Sequence, residues 1–462
     1  MAVTGKRLVL SDAPLAVRMA QALSDHSWEH LTPEVIAKAK LCVLDLLSCA
    51  FSSAELPWSC QAISLARRNS GGFKSGAGII GTKHVVSIQD AAFANGVIGH
   101  GLVRDDMHVG SVSHLGTVII PALLALAETT SATGKDLLTA IAAGYEVGGK
   151  IGRMILDVEV TKIFRPTGIT GPIAAAAAGA KLLGLNTEQT AAALALGANA
   201  AAGYNEWATT GGSEMFFHTG FAARSAVSAV QLAADGAHAS ATAIDGEAGL
   251  LAAFHKPLQP AIAELFQDRP EILAVFFKPV PACNFAQSAA QAALAIAKRE
   301  RVRVTDVERI VVKVTRAAAL YPGCNVSGPF AHILQAKMSI HYNVAAALST
   351  GNFDERNYEP KSNPDVLRLA TRTTLEADAE LTKAFPDKQG AEVIVHTRAG
   401  DIWSERVEDV VPTAADEVRE RFLAAATNAL GKSAAGKLGK LIDTLESCTD
   451  VAKLSRLTRA TK

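Results

Sequence analysis

Apolar residues recur at every third or fourth position through most of residues 1–265, and this period predicts helices. In the segment LTPEVIAKAKLCVLDLLSCAF, Thr32 can cap a helix and Pro33 suits its first turn. Later segments such as GPIAAAAAGAKLLGL are rich in alanine and glycine, whose small size lets helices approach one another closely. We therefore predict a large all-helical domain over residues 1–265.

The pattern of hydrophobic positions changes after Leu265. Residues 307–320 and 391–400 alternate β-branched and polar side chains, which predicts strands, whereas residues 288–300 and 339–351 keep a helical period. We predict a smaller α+β lid domain over residues 266–404. Residues 405–462 return to the helical pattern and are assigned to the first domain. The predicted fold class is therefore mainly α, with a large all-helical domain and a smaller α+β lid domain.

Composition narrows the possible partners. Lysine plus arginine number 45, as do aspartate plus glutamate, so the chain has no net charge that would attract nucleic acid or an anionic membrane. Glycine, proline or charged residues interrupt the longest apolar runs, so we predict no membrane span. The six cysteines form no CxxC pair, which is typical of reduced thiols, and we predict a cytoplasmic protein.

Titratable residues concentrate in one short stretch, GHGLVRDDMHVGSVSHLG, which contains Arg104, Asp105, Asp106, His108 and His114. Acids followed by histidines can be metal ligands, acid/base groups or a solvated loop. The HEXXH, paired CxxC and EF-hand spacings are all absent, so we predict no metal. An apolar helix is predicted to follow at once, and an anion can bind at a helix N-terminus. This context favours acid/base chemistry.

Other candidates are scattered along the chain. Tyr145 lies in an alanine-rich helix, where a buried hydrogen bond is the usual role, and His218 is equally compatible with a core position. Arg165 precedes a proline and a helix start, where it can pair with an acid or hold a carboxylate. Lys278 and Cys283 lie in the proline-rich loop FKPVPACNF near the predicted domain junction, where ligand sites are common. The chain contains no Walker A loop, no GxGxxG motif after a predicted strand and no GxSxG motif.

Six segments, taken in order, resemble the MmgE/PrpD family: ANGVIGHGLVRDDMHVGSVSHLG, AAGYEVGGKIGR, FRPTGITGPIAAAAAGAKLLGL, FHTGFAARSAVSAVQLAADG, FKPVPACNF and QAKMSIHYNVAAAL. The resemblance extends from about residue 15 to about residue 425. It implies a helical domain and a smaller α+β lid with the active site between them. It also implies a homodimer that requires no cofactor.

Several positions depart from the pattern of the family. Members that dehydrate or decarboxylate commonly contain LDxDDT, where this chain has Val103 for the first acid and Met107 for the threonine. Arg165 replaces a histidine, and Met215 replaces a lysine. Cys283 occupies a position that resembles a histidine of the decarboxylase. The additional arginine suits an additional carboxylate on the substrate.

Within the family, these departures favour an isomerase: a cofactor-independent epimerase that interconverts stereoisomers of iminodisuccinate or a similar amino polycarboxylate. Such an enzyme needs a base to remove the α-proton and an acid to return it. We assign this pair to Lys278 and either Tyr145 or His114, and expect Asp106 to orient His108 or His114. The residues predicted to bind the substrate are Arg165, His108, His218, Cys283 and Arg104.

Two alternatives stay open at this point. A lyase that dehydrates a 2-methylcitrate-like tricarboxylate would begin with the same proton removal, although Val103, Met107 and Met215 argue against it. A non-catalytic, dimeric carboxylate-binding protein would also explain why the acid, the threonine and the lysine of the family pattern are replaced by Val103, Met107 and Met215. The retained pair of aspartates, with His114, Tyr145 and Lys278 as further titratable groups, argues against that reading.

Overall fold

The computed structural model describes residues 13–70, 76–300, 302–358 and 363–460. These residues are mainly helical, and the longer strands are confined to one four-stranded sheet. The predicted fold class is therefore confirmed. The first twelve residues of the predicted helical domain lie outside the described residues.

Thirteen α-helices precede the loop that carries Lys278 within the described residues. Helix α2 begins at Pro33 as predicted, because the Thr32 hydroxyl accepts a hydrogen bond from the backbone N–H of Val35 at 3.3 Å. The helices are α1 Leu15–Asp25, α2 Pro33–Ser53, α3 Pro57–Asn69, α4 Ile88–His100, α5 Gly116–Ala127, α6 Gly134–Ile155, α7 Val158–Ile163, α8 Pro166–Leu182, α9 Thr187–Asn199, α10 Trp207–Thr210, α11 Glu214–Ala234, α12 Leu250–Ala253 and α13 Pro260–Ala263.

Small residues set the spacing of the central helices. A Cβ atom on Gly144 of α6 would lie 3.0 Å from the carbonyl oxygen of Ala174 in α8. A Cβ atom on Gly148 would lie 2.8 Å from the Cβ of the same alanine. Helices α6 and α8 therefore pack with their backbones almost in contact, which a larger side chain at either glycine would prevent.

The second part of the chain surrounds a sheet with the strand order β6-β5-β7-β8. Strands β5 and β6 are parallel, and the other two pairs are antiparallel. The strands are β5 Val307–Val314, β6 Thr373–Ala377, β7 Ala391–Thr397 and β8 Ile402–Val407. The helices are α14 Gln287–Glu300, α15 Arg316–Leu320, α16 Ile333–Met338, α17 Ile340–Thr350, α18 Pro364–Ala370 and α19 Ala379–Ala384.

The strand predicted over residues 307–320 is shorter than expected. It ends at Val314, because the Thr315 hydroxyl accepts a hydrogen bond from the N–H of Ala318 at 3.1 Å and caps a short helix. The sequence RAAAL that follows is rich in helix-forming residues. The strand predicted over 391–400 is confirmed over Ala391–Thr397.

The last described part of the chain, up to residue 460, contains three α-helices: α20 Ala415–Leu430, α21 Lys432–Asp443 and α22 Ala452–Leu457. Buried residues of these helices, such as Phe422 and Leu438, share one hydrophobic core with residues of α2 and α5. Helix α20 packs on α2. The division of the chain at residues 265 and 404 stays a prediction.

Four short strands lie outside the large sheet: β1 Ala77–Gly78, β2 Val85–Val86, β3 Met107–His108 and β4 Val275–Phe276. Strands β3 and β4 pair antiparallel, with Met107 opposite Phe276. This ladder joins the stretch that contains Asp105 and Asp106 to the segment that reaches Lys278 two residues after β4. Residues that are about 170 positions apart in the sequence are thereby brought into one site.

Candidate active site

A buried carboxylate between two histidines forms the centre of the site. Asp105 is 1% exposed, and its Oδ1 lies 2.8 Å from Nδ1 of His100, the last residue of α4. Its Oδ2 lies 2.6 Å from Nδ1 of His114, which lies two residues before the start of α5. The N–H of His114 is aligned with the carbonyl oxygen of Asp106, at 3.1 Å, so the contact with Asp105 is electrostatic rather than a well-directed hydrogen bond.

The partners of the two rings fix which nitrogen carries the proton. Arg165 donates a hydrogen bond from Nη2 to Nε2 of His100 at 3.0 Å, so His100 carries its proton on Nδ1. His114 donates from Nδ1 to the carbonyl of Asp106, which leaves Nε2 as its basic nitrogen. His114 also lines a cavity. The arrangement gives this histidine the form that a general base requires.

The protonation states of the three residues follow from their surroundings. Burial lowers the pKa of His114 well below its usual value, and the positive charge of Lys278 adds to the effect. Burial also lowers the pKa of His100, against the opposing influence of Asp105. For Asp105 burial favours the neutral acid, but the two histidines outweigh it and hold its pKa well below the usual range. At neutral pH an ionised carboxylate therefore lies between two neutral imidazoles.

Arg165 supplies a buried positive charge beside this centre. It is 5% exposed, and its guanidinium lies 5.3 Å from the ring centre of Trp207. Its Nε is buried without a hydrogen-bond partner, and among the described residues it forms no ion pair with a carboxylate. Because a buried arginine without an acid partner is costly, the site favours a bound anion.

Lys278 is fully buried and donates hydrogen bonds to the carbonyl oxygens of Val103 at 2.9 Å and Ala282 at 3.0 Å. Burial lowers its pKa to about 8, although the charge of Asp105 partly opposes this. Val103 has a φ of 60°, which is strained for a β-branched residue, and its bond to Lys278 helps to hold that turn. The third N–H of the lysine is left for another acceptor.

A second buried lysine fastens the same two segments. Lys337 donates to the carbonyl oxygens of Leu102 and Pro281, both at 3.0 Å, and forms an ion pair with Glu355 at 2.7 Å. The two lysines thus join residues 102–103 to residues 281–282. Unlike Lys337, Lys278 makes no ion pair with a carboxylate among the described residues.

Asp106 belongs to a different cluster from the one predicted. Its side chain accepts a hydrogen bond from the Tyr145 hydroxyl, whereas the carboxylate beside His114 is that of Asp105. The predicted role of Asp106 in orienting a histidine stays a prediction; its backbone carbonyl, rather than its carboxylate, accepts from Nδ1 of His114. Burial raises the pKa of Asp106 to about 7, although the bond from Tyr145 lowers it. Burial also raises the pKa of neighbouring Asp45 to about 8, and Asp106 adds to this shift.

His108 is fully buried away from the cavity. Its Nδ1 lies 2.8 Å from the Ser111 hydroxyl, and its Nε2 lies 2.7 Å from Oε2 of Glu271. Both of its ring nitrogens already have partners, and its predicted role in binding a substrate carboxylate stays a prediction. Arg104 donates to the Ser48 hydroxyl at 2.9 Å and does not line the cavity, so its assignment stays a prediction.

The cavity has a volume of about 20 Å³, which is room for about one water molecule. Of the nine predicted site residues, His114, Arg165 and Cys283 line it. The prediction missed His100, although it lies within the stretch examined and five residues before Asp105. It also missed Trp207, Asn284 and Tyr321, for which the sequence carried no clear signal.

His218 lies near Arg165 without lining the cavity. Burial and, to a smaller extent, the positive charge of Arg165 lower the pKa of His218 to about 4. Its Nδ1 is buried and has no hydrogen-bond partner. The assignment of His218 to carboxylate binding stays a prediction.

An outer cavity of about 380 Å³ adjoins the first one. Val112 and Phe285 line both cavities and therefore form the wall between them. Val112 has a φ of 47°, a second strained valine at the site. Arg153 lines the outer cavity and is held at Nε by both carboxylate oxygens of Glu271, each at 3.0 Å. The outer cavity thus places a cation, Arg153, on the far side of the wall from His114.

Among the described residues, His100, Asp105 and His114 form a group that could hold a metal ion. Each of them offers one ligand atom, and the three atoms lie within 4.8 Å of one another. The Nδ1 atoms of both histidines already face the Asp105 carboxylate, and the charges of Arg165 and Lys278 oppose a further cation. The predicted lack of a metal or other cofactor stays a prediction.

The fold and the site together define a class: a mainly helical chain with a smaller α+β part, in which an ionised carboxylate, two neutral histidines and an unpaired arginine meet beside a small cavity. The chain belongs to the MmgE/PrpD family. The N-terminal domain of that family matches residues 17–263, and its C-terminal domain matches residues 280–447. The resemblance inferred from the sequence is confirmed.

Three relatives are similar to the chain over most of their length. The cis-aconitate decarboxylase-like protein oryM of Aspergillus oryzae is 27% identical over 92% of this chain and 93% of its own. Cis-aconitate decarboxylase of Homo sapiens is 27% identical over 93% of this chain and 91% of its own. A probable 2-methylcitrate dehydratase of Saccharomyces cerevisiae is 27% identical over 76% of this chain and 72% of its own.

These relatives overturn the predicted reaction. Decarboxylases and dehydratases are lyases, so the prediction of an isomerase that epimerises iminodisuccinate is wrong. The sequence argument gave too much weight to the replacement of polar residues by Val103, Met107 and Met215. Separately, none of the described helices is both long and apolar enough to cross a membrane. The cytoplasmic location stays a prediction.

Proposed function

We propose that this protein is a lyase that acts on a small tricarboxylic acid without a cofactor. The observation that carries the proposal is the pairing of a basic His114, held by Asp105, with the unpaired cation of Arg165 at one cavity. A decarboxylase and a dehydratase both build up negative charge on a carbon next to a carboxylate. Both therefore need a group that moves a proton and a cation that binds the carboxylate.

The protonation states suit either reaction. In a dehydration, Nε2 of His114 would remove a proton from the carbon next to a carboxylate, and the leaving hydroxyl would take a proton and depart as water. In a decarboxylation, a carbon–carbon bond would break, carbon dioxide would leave, and the carbon that keeps the electron pair would take a proton. The ammonium group of Lys278, with one N–H unused by Val103 and Ala282, is the proposed proton donor.

The test follows cis-aconitate and 2-methylcitrate separately by proton NMR, with carbon dioxide release measured in parallel. We expect His114→Gln to lower the rate by about 10²–10⁴-fold, the usual contribution of general acid–base catalysis. His238→Gln, a change at an exposed histidine, is the matched control and should keep full activity.

Each outcome has a separate meaning. Carbon dioxide released from cis-aconitate assigns the decarboxylase reaction, and a new alkene formed from 2-methylcitrate assigns the dehydratase reaction. Thermal stabilisation by both acids without turnover of either would refute the lyase and support a carboxylate-binding protein. Equal activity of the His114→Gln variant and the wild type would refute the assigned base.

We also propose that the protein is a homodimer and acts in the cytoplasm. Membership of the MmgE/PrpD family supports the dimer, and the six cysteines in a chain without a CxxC pair support a reducing compartment. Light scattering coupled to size-exclusion chromatography measures the mass directly. A mass of one chain, 48.2 kDa, at micromolar concentration would refute the dimer.

A further inference from the structure

Two cysteines meet at the wall of the cavity. The Sγ atoms of Cys283 and Cys324 lie 3.7 Å apart, and both side chains are buried. Cys283 lines the cavity together with His114 and Arg165, whereas Cys324 is fully buried and does not line it. A small solute in the cavity would therefore reach the sulfur of Cys283 first.

The backbone holds both cysteines in place. The N–H of Cys283 donates to the carbonyl of Lys337 at 2.9 Å, and the carbonyl of Cys324 accepts from the N–H of Ile340 at the same distance. Helix α16 and the start of α17 thus anchor both residues. A disulfide needs an S–S distance of about 2.05 Å, so the sulfurs must approach by a further 1–2 Å or so, within the reach of side-chain rotation.

The two thiols differ in their readiness to ionise. The hydrogen bond from Cys324 lowers the pKa of Cys283, and the charge of Lys278 and the N–H of Phe285 contribute to the shift. Burial raises the pKa of Cys324 well above its usual value. Cys283 is thus the more reactive thiol and Cys324 its neighbour.

We propose that Cys283 and Cys324 form a reversible redox site for peroxides at the wall of the cavity. The Cys283 thiolate attacks one oxygen of a peroxide, the O–O bond breaks, and the cysteine becomes a sulfenic acid while hydroxide leaves. The Cys324 sulfur then attacks the oxidised sulfur, an S–S bond forms, and the sulfenic oxygen leaves with the thiol proton as water. Two thiols and one peroxide molecule thus give one disulfide and two water molecules.

Oxidation would alter the cavity itself. The disulfide would draw the Cys283 sulfur towards Cys324 and remove a thiolate from the surroundings of Arg165 and Lys278. This proposal rests on the proposed function and adds a control of it. The lyase would be active when both thiols are reduced and inactive when the disulfide has formed. A reductant such as dithiothreitol would restore the thiols and the activity.

The test uses the full chain in a Cys60→Ser background, which removes the exposed thiol. The protein is treated with hydrogen peroxide, remaining thiols are blocked, and peptides are mapped without reduction. We expect one linked peptide pair that contains Cys283 and Cys324 and disappears after dithiothreitol. Cys42, fully buried and with a pKa raised by burial, should stay reduced and serves as the internal control.

The mapping does not depend on any enzyme activity, so its failure is distinguishable from failure of the proposed function. In the Cys324→Ser variant, peroxide should instead leave Cys283 with two or three added oxygens, which dithiothreitol does not reverse. The proposal is overturned if Cys283 stays reduced at a peroxide concentration that oxidises Cys60 in the wild-type chain. It is equally overturned if Cys283 is oxidised in the Cys60→Ser chain without a link to Cys324.

Discussion

Replacing Asp105 by asparagine tests the centre of the site. An asparagine side chain has one acceptor oxygen and one NH₂ donor, whereas the carboxylate accepts at both oxygens. His100 must keep its proton on Nδ1, because Arg165 donates to its other nitrogen. His114 also presents an N–H, which the carbonyl of Asp106 holds. In the variant, the NH₂ group of the asparagine would therefore face the N–H of one of the two histidine rings, and two donors cannot hydrogen-bond to each other.

The structure sets the expected magnitude. A hydrogen bond to a charged group contributes about 1.5–3 kcal/mol, and an unsatisfied buried donor costs about 1–3 kcal/mol. Asp105→Asn weakens two charge-assisted contacts and keeps one neutral bond, and it removes the negative charge that balances Arg165 and Lys278. We expect the free energy of unfolding at pH 7 to fall by about 3–5 kcal/mol. The rate should fall by about 10²–10⁴-fold as well.

Asp45→Asn is the matched control, because it changes the same atoms at another buried acid. Burial raises the pKa of Asp45 to about 8, so at pH 7 the folded protein holds a neutral acid there. The unfolded chain ionises near 3.8, so this group makes the wild type less stable by up to about 1.4 kcal/mol for each pH unit between those values. Asparagine removes that loss, and we expect stability at pH 7 to stay equal or rise.

Urea unfolding followed by tryptophan fluorescence measures both variants. Because the chain is long, the comparison uses midpoints obtained with equal slopes rather than extrapolated free energies. Relative to the wild type, we expect a lower urea midpoint for Asp105→Asn and an equal or higher urea midpoint for Asp45→Asn. The reasoning is refuted if Asp105→Asn leaves the midpoint unchanged, or if both variants fall by similar amounts.

Three further predictions concern the surroundings of the site. Gly116→Ala places a Cβ atom 2.5 Å from Oδ1 of Asp106 and should lower the free energy of unfolding by about 1–3 kcal/mol. The control Gly436→Ala adds a Cβ atom in open space and should raise it by about 0.5–1 kcal/mol. Thermal melts of both variants test this difference, and equal melting temperatures would contradict it. Turnover should fall as pH rises through about 8, where Lys278 loses its charge, and a flat profile would contradict its role. Arg165→Lys should raise KM more than it changes kcat, because the planar fork is lost; an unchanged KM would contradict carboxylate binding.

The periodicity of the sequence was sufficient for the fold class, because helix faces and strand alternation depend on neighbours along the chain. It failed where a local cap competed with alternation: Thr315 ends the strand that was predicted to continue to residue 320. It also gave no strand at Ile402–Val407, because the sequence IWSERV does not alternate apolar and polar residues: Ile402 is exposed and Glu405 is half-buried. That strand is defined by its pairing with Ala391–Thr397, a contact between segments.

The site was predictable in its components but not in its pairing. Asp105 and Asp106 are adjacent, so the sequence cannot tell which carboxylate faces the histidines. The structure directs Asp105 to His114 and Asp106 to Tyr145, because consecutive side chains leave the backbone on different sides before β3. His100 escaped notice because it ends a helix, and its approach to Asp105 depends on the turn between them.

Two of the substitutions behind the functional prediction, Arg165 and Met215, are neighbours in space. The family pattern has a histidine where this chain has Arg165 and a lysine where it has Met215. Here Nη2 of Arg165 lies 3.6 Å from the Met215 sulfur, and the same sulfur lies 2.9 Å from Nε2 of His100. Replacing the lysine removes a cation, and replacing the histidine by arginine returns one at the adjoining position. Because the charge available to a substrate carboxylate is moved rather than lost, these replacements do not by themselves require a different class of reaction.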